Sequence, residues 1–370
     1  MAGDRVRVAA SFDRDMMGIA LRMAKRGLGR VAPNPAVGAV IADEASGEVF
    51  ARGWTQPGGR PHAETEAIAR AGARARGATM YVSLEPCSHH GRTGPCANAI
   101  IDAGLKRVVV AIGDPDTRVA GRGLEWMRKA GIAVETGLLA DEAHWLTLGH
   151  ILRTTEQRPF VQLKLALSAD GEVPRGDAGQ PAWVTSAEAR AHGAMLRAEA
   201  DAILVGARTI ADDDPQLTCR LPGMIERSPV RVVLSSRLDV PLDAKVFATA
   251  REEPTWVLTS DEAGPVAAGR LRAAGVLVVP VAANAPLDIG EALGALADEG
   301  ITRLLVEGGP QVWRAFADAG VIDEVVVYQA QGPGSDARSG ASAFINLDGL
   351  SRISELKLAE DVVTVFRAKR

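Results

Sequence analysis

The chain has 370 residues, 47% of them hydrophobic, and a formal net charge of −4. That length exceeds one ordinary domain and suits two, and the acidic balance argues against a broad basic face for nucleic acid while leaving room for a local phosphate pocket. Three cysteines (Cys87, Cys96, Cys219) make no disulfide framework, and neither an apolar leader nor a run of about 20 apolar residues is present, so a cytoplasmic protein without a membrane segment is expected.

Helical spacing of Met16, Met17, Ile19, Ala20, Met23 and Ala24 predicts a helix over 13–27. Ala36–Ile41 and Glu48–Arg52 read as strands, and His62 opens a helix to about Gly72. Thr79–Leu84 is a strand ending at Glu85-Pro86-Cys87; Cys96–Ala103 is a helix and Arg107–Ile112 a strand. A helix over Gly123–Ala130, a strand over Ile132–Glu135 and a helix from Glu142 to about Leu152 follow. The polar stretch Arg153–Pro159 is the expected linker. Beyond it, strands are expected at Phe160–Leu165, Ala202–Val205, Val230–Leu234, Thr255–Leu258, Val276–Val279, Arg303–Val306 and Glu324–Tyr328. Helices are expected at Ser186–Ala198, Ile289–Asp298 and from Gly308-Gly309-Pro310 to about Ala319, and Asp336–Ala343 reads as a small-residue loop. Such alternation indicates two α/β units, placed at residues 1–155 and 156–370.

The densest chemistry lies in His62-Ala63-Glu64, Pro86-Cys87 and Pro95-Cys96. One imidazole and two thiolates leave a tetrahedral zinc one open position, the mark of a catalytic rather than a structural site. Zinc lowers the pKa of a bound water toward neutrality, and Glu64 is placed to move protons to and from it. That set of groups suits hydrolytic removal of an amine from a nucleobase-like ring. A fourth protein ligand, His89 or His90, would instead make the site structural. In the second unit Glu307-Gly308-Gly309-Pro310 follows a strand and opens a helix, which suits a phosphate. It is not the dinucleotide fingerprint of an ordinary Rossmann fold.

Pro33-Asn34-Pro35-x-Val37-Gly38-Ala39-Val40, His62-Ala63-Glu64, Glu85-Pro86-Cys87-Ser88-His89-x-Gly91-x-Thr93-x-Pro95-Cys96 and Gly121-Arg122-Gly123 resemble the deaminase half of the bifunctional riboflavin-biosynthesis deaminase–reductases. The nine-residue offset between the cysteines sets them apart from cytidine and transfer-RNA adenosine deaminases, which share the fold. Lys164–Gly171, Trp183-Val-Thr185-Ser186, Ala202–Gly206, Thr209 and Asp213-Asp-Pro215-x-Leu217-Thr218-x-Arg220 resemble the reductase half.

The resemblance implies a cytidine-deaminase-like domain followed by a dihydrofolate-reductase-like domain that uses NADPH. It implies that Asn34, His89 and Arg92 contact the pyrimidine substrate. Ala166, Trp183, Thr209, Asp213, Ser236 and the turn Gly309, Pro310, Gln311 to Arg314 would line the cofactor. Arg197, Leu217, Arg220 and Glu307 would hold the ribose phosphate. The expected reactions are hydrolysis of the 2-amino group of a diaminopyrimidine ribosyl phosphate, then reduction of the ribosyl chain to ribityl. Lys164 and Asp170 are candidate acids of the reductase, and a homo-oligomer, dimer or tetramer, is expected. Thr55, where many members carry histidine, and the segment 331–338 depart from the pattern. Two other readings are open: a transfer-RNA or nucleotide deaminase fused to an unrelated α/β unit, and a zinc-stabilised binding module whose reductase half has degenerated.

Overall fold

The computed structural model describes residues 2–89, 94–116, 120–174, 184–282, 286–332 and 335–369. Its contacts divide the chain into units Met1–Glu156 and Gln157–Arg370.

In the first unit the elements are α1 (Ala2–Lys25), β1 (Gly38–Asp43), β2 (Glu48–Trp54), α2 (Ala63–Ala71), β3 (Thr79–Leu84), α3 (Cys96–Asp102), β4 (Arg107–Ile112), α4 (Arg122–Lys129), β5 (Ala133–Thr136) and α5 (Ala140–Glu156). The sheet runs β2-β1-β3-β4-β5, antiparallel at the first two pairings and parallel at the others. Side chains alternate between the faces of a strand, so each strand feeds two cores. Ala39, Ile41, Met80, Val82, Val108 and Val110 meet Ala63 and Ala67 of α2, Ile100 of α3 and Met127 of α4. Their neighbours Val40, Tyr81 and Val109 meet Met17, Ala20 and Ala24 of α1 and Ala143 and Leu146 of α5. Helices α2, α3 and α4 therefore share one face. A Cβ on Gly53 of β2 would stand 2.2 Å from the Ala63 carbonyl oxygen. Only glycine admits that approach, and the approach seats the start of α2, with His62 and Glu64, directly on the sheet.

One cation ties the other face together. Arg107 donates to Asp13 (2.8 and 2.9 Å), Glu44 (2.9 Å) and Glu135 (2.8 and 2.9 Å). Tyr81 adds a hydrogen bond to Asp13 at 2.6 Å, and Thr79 one to Glu44.

The second unit holds β6 (Phe160–Leu167), α6 (Ala187–Glu199), β7 (Ala202–Gly206), α7 (Ala207–Asp213), β8 (Val230–Leu234), α8 (Lys245–Ala248), β9 (Thr255–Ser260), α9 (Pro265–Ala273), β10 (Leu277–Ala282), α10 (Ile289–Asp298), β11 (Arg303–Gly308), α11 (Pro310–Asp318), β12 (Glu324–Ala330), α12 (Ala337–Ser342), β13 (Leu350–Leu358) and β14 (Asp361–Ala368). Its sheet order is β10-β9-β8-β7-β11-β6-β12-β14-β13. The run from β10 to β12 is parallel, and β14 and β13 close it antiparallel. One face packs on α10, α11 and α12; the other carries α7, α8 and α9 over β7–β10 and α6 over β12 and β14. Buried Asp201 locks the start of β7 to that of β11, accepting from Thr302 N (2.9 Å), Thr302 Oγ1 (2.6 Å) and Arg303 N (2.9 Å).

Three expectations are corrected. The linker is shorter than Arg153–Pro159, because α5 stays helical through Glu156. The small-residue loop contains α12, whose first turn is capped by the Asp336 carboxylate accepting from Ser339 N at 2.7 Å. Two strands, β13 and β14, lie beyond Tyr328, and α7, α8 and α9 lie between strands where no helix is expected. No helix among the described residues is long and apolar enough to cross a membrane.

Removing the Arg107 guanidinium tests the network. Burial pushes the Asp13 and Glu44 carboxyls up, but hydrogen bonds to Arg107, Tyr81 and Thr79 outweigh it and hold both below their ordinary values. Stability from depressed carboxylates is present at neutral pH and is lost as pH falls through their folded values. Arg107→Met is expected to cost about 2 kcal/mol in urea unfolding at pH 7, and the gap to wild type should shrink as the pH drops below about 4.

Candidate active sites

Strand direction collects the first site. β1 runs opposite to β2 and β3, so the start of β1 and the ends of β2, β3 and β4 share one edge of the sheet. Asn34–Val37, Thr55, Cys87 and Asp114 all lie at that edge, and His62 sits just before α2 as its cap residue. Cys87 follows β3, and Cys96 is the first residue of α3. The return between them is pinned by Cys96 N donating to Cys87 Sγ (3.3 Å) and Ala97 N to the Cys87 carbonyl (3.2 Å). His62 Nδ1 lies 3.3 Å from Cys96 Sγ and 3.7 Å from Cys87 Sγ. All three donor atoms fall within 4.8 Å of one another, the one such group found among the described residues. One nitrogen and two sulfurs at these separations fit a zinc ion with an open position. The hydrogen bond with Cys96, together with His62, draws the Cys87 thiol down to about 4, as a thiolate ligand requires.

Glu64 is 3% exposed on the first turn of α2. Burial pushes its carboxyl up to about 7, against the pull of His62. A group poised near neutrality both accepts and returns a proton, which is its expected role; the charge of a bound metal would draw it lower.

Around these residues the edge is held by polar contacts. Thr55, 2% exposed, donates through Oγ1 to the Pro35 carbonyl (3.0 Å) and accepts from Val37 N (3.0 Å), fixing the turn that carries Asn34. Its departure from the family pattern is therefore a structural clamp in this chain. Glu85, 4% exposed, accepts from Asp114 N (3.3 Å), Gly121 N (3.0 Å) and Gly123 N (3.2 Å), tying β3 to the start of α4. No role for Glu85 follows from the sequence motif, although a carboxylate between a buried strand and Pro-Cys was the available signal. His89 is exposed, and its charge is felt by Asp114, whose pKa burial chiefly raises. Arg92 lies outside the described residues.

In the second unit the chain leaves β6 for β7, builds outward to β10, then returns to insert β11 between β7 and β6. That reversal falls at the carboxyl ends of β7 and β11, the place where open α/β sheets bind ligands. Val161, Leu163, Leu165 and Leu167 of β6 face one core, so Lys164 and Ala166 face the other side, under α6. Glu307, at the end of β11, receives Arg197 of α6 as a two-pronged pair (2.8 and 2.9 Å), with Lys164 Nζ at 3.8 Å. Burial pushes the Glu307 carboxyl up, yet Arg197, Lys164 and Arg220 hold it at about 2. Arg197 also donates to the Thr218 carbonyl at 2.9 Å. Arg197, Lys164 and exposed Arg220 thus gather around the one Glu307 carboxylate.

Gly308 has φ +99°, and a Cβ there would strike Trp313 Cε2 at 2.5 Å. Beside it Gly309 N donates to Thr209 Oγ1 at 3.0 Å, so two expected cofactor residues meet where α11 begins. Asp213 ends α7, one turn from Thr209. Ser236 lies just past β8 and its carbonyl accepts from Ser260 Oγ at 2.7 Å. Pro310 is half-buried at the start of α11, and Gln311 is exposed. Leu217 is 2% exposed with φ +58°, so its side chain belongs to the core and only its backbone is available to a phosphate. Asp170 is exposed in the turn after β6, and its hydrogen bond with Ser168 lowers its pKa, which leaves it ionised and unsuited to donate a proton. Trp183 lies outside the described residues.

A deaminase-type metal centre and an α/β sheet with a strand-order reversal of the kind that binds nucleotides thus occur in one chain, as in a two-domain deaminase and reductase. Residues 10–112 match the cytidine and deoxycytidylate deaminase zinc-binding region, and residues 159–331 match the RibD C-terminal domain. The riboflavin biosynthesis protein RibD of Aquifex aeolicus is 39% identical over 360 residues, 96% of this chain and 98% of that protein. That of Escherichia coli is 38% identical, covering 94% and 95%. The Acinetobacter baumannii RibD structure superposes with a TM-score of 0.82 at 33% identity, covering 98% of this chain and 100% of that one. A Thermotoga maritima diaminohydroxyphosphoribosylaminopyrimidine deaminase/5-amino-6-(5-phosphoribosylamino)uracil reductase gives 0.81 at 34%, covering 97% and 99%. The chain belongs to the RibD family, bifunctional deaminase–reductases of riboflavin biosynthesis with a zinc-binding deaminase domain and an NADPH-dependent reductase domain.

Metal content and turnover separate the roles assigned here. Glu64→Gln is expected to keep about one zinc per chain by elemental analysis while deamination falls by about 10³-fold. Cys96→Ser is expected to lose both metal and activity.

Proposed function

We propose that the first unit hydrolyses the 2-amino group of 2,5-diamino-6-(5-phosphoribosylamino)pyrimidin-4-one and that the second reduces the ribosyl chain of the product to ribityl phosphate. The observation that carries this reading is the group His62, Cys87 and Cys96 with Glu64 buried beside it. His62, Cys87 and Cys96 would hold zinc, which when bound activates a water by lowering its pKa. Glu64 would pass one proton of the attacking water to the ring nitrogen and the second to the amine, which leaves as ammonia while the oxygen stays on the ring carbon. Asn34 and His89, and Arg92 on sequence grounds alone, orient the pyrimidine.

In the second unit NADPH would lie along the edge formed by Ala166, Thr209, Asp213, Ser236 and Gly309–Gln311, with Trp183 added by sequence; when bound it supplies a hydride. The N-terminus of α11 offers backbone N–H groups to its phosphates. Arg220 and the Leu217 backbone receive the ribose phosphate, and Glu307 fixes Lys164 and Arg197 in place. Lys164 is the candidate proton source for the reduced side chain. A small phosphorylated pyrimidine needs only such a local pocket, so net acidity is no obstacle. A biosynthetic role on this substrate fits a cytoplasmic enzyme.

Mass spectrometry of products from zinc-loaded enzyme tests both halves. Without NADPH one amine should be replaced by oxygen; with NADPH the product should gain two hydrogens. Absence of the first change overturns the substrate assignment. Deamination without the second overturns the reductase assignment.

Glu307→Gln leaves Arg197 and Lys164 without their counter-charge. Its expected outcome is a fall of about 10²-fold in reductase kcat/KM, measured by NADPH consumption, with the deamination rate of the same preparation unchanged.

A further inference from the structure

The underside of α6 presents a histidine that has no part in the reading above. His192 Nδ1 lies 2.7 Å from Tyr328 Oη, with the ring centroids 5.7 Å apart. Tyr328 is 1% exposed on β12, opposite Ala166 of β6, among Ala189, Val326 and Val363. So deeply buried a hydroxyl requires a partner, and His192 is the hydrogen-bond partner it has among the described residues. The Tyr328 ring in turn lies 5.7 Å from Lys164 Nζ, within cation–π range. A Cβ placed on Gly193 would stand 3.8 Å from Tyr328 Oη and 3.9 Å from Lys164 Cε, so α6 descends directly over both groups. His192, Tyr328, Lys164 and Glu307 thus form a continuous line of contacts from α6 to the carboxyl end of β11.

We propose that His192 is a positioning residue for the reductase step: it anchors the Tyr328 ring in the orientation that seats the Lys164 ammonium beside Glu307. It acts through Lys164 and not on the substrate directly. The inference rests on the reading that Lys164 and Glu307 line the reductase site.

The test uses the full chain, with deamination in the same preparation as an internal control. His192→Leu is expected to lower reductase kcat about 10-fold while KM for NADPH stays within about two-fold and deamination is unchanged. His192→Asn, whose side chain can place a hydrogen-bonding atom near the position of Nδ1, should restore most of that loss. Tyr328→Phe keeps the ring, removes the anchor and should reproduce the leucine variant; it carries the test should His192→Leu fail to fold. An unchanged kcat in His192→Leu, or an asparagine variant no better than leucine, overturns the proposal. Lys164→Met distinguishes the two levels. If it leaves reduction intact, the underlying site reading fails; if it abolishes reduction while the His192 variants are silent, only this inference falls.

Discussion

Parallel strands all end on the same side of a sheet, and both active sites are built on that constraint. In the first unit the parallel pair β3 and β4 delivers Cys87 and Asp114 to one edge, and reversed β1 brings its own beginning, with Asn34, to the same place. In the second unit β7 and β11 deliver Thr209 and Glu307–Gly309 to theirs. Helices start where strands stop, so their unsatisfied N–H groups gather there too. The Cys96 amide facing the Cys87 sulfur is one result. The start of α11 beside Thr209 is another.

Among the described residues, the buried carboxylates Glu307 and Glu85 sit where partners are fixed beforehand. Glu307 is half-enclosed by two cations, one arriving as a fork whose geometry matches a carboxylate. Glu85 has three backbone donors. Glu64 differs: its surroundings favour the protonated form, and that mismatch is what makes it useful for proton transfer. At Glu64 burial outweighs the hydrogen bonds from Cys96 and its own backbone, whereas at Glu307 the surrounding cations outweigh burial.

Much of this was legible from residues alone, and the omissions have physical causes. His62, Cys87 and Cys96 were readable because metal chemistry demands a few residue types at fixed spacing, and the fold brings those three within 4.8 Å. Lys164 was visible as a charge inside an apolar strand, but its partner Glu307 lies on a strand 143 positions later, a pairing that the strand order alone establishes. The resemblance places both Arg197 and Glu307 at the phosphate; that they pair with each other depends on where α6 crosses the sheet. The short helix α12 was hidden by glycine and serine, because one aspartate cap decides it. β13 escaped notice because most of its residues are exposed, which erases the apolar alternation that marks a strand.

That exposure has a consequence for solubility. A nine-stranded sheet has two outer strands, and each free edge is a template for pairing with another chain. β13 places Arg352, Glu355 and Lys357 along its edge, so a second strand laid against it would bring charge onto charge. β10, at the far side, carries Pro280, which has no N–H to offer an incoming strand. Both outer strands of this sheet therefore carry features that oppose the addition of a further strand through the backbone.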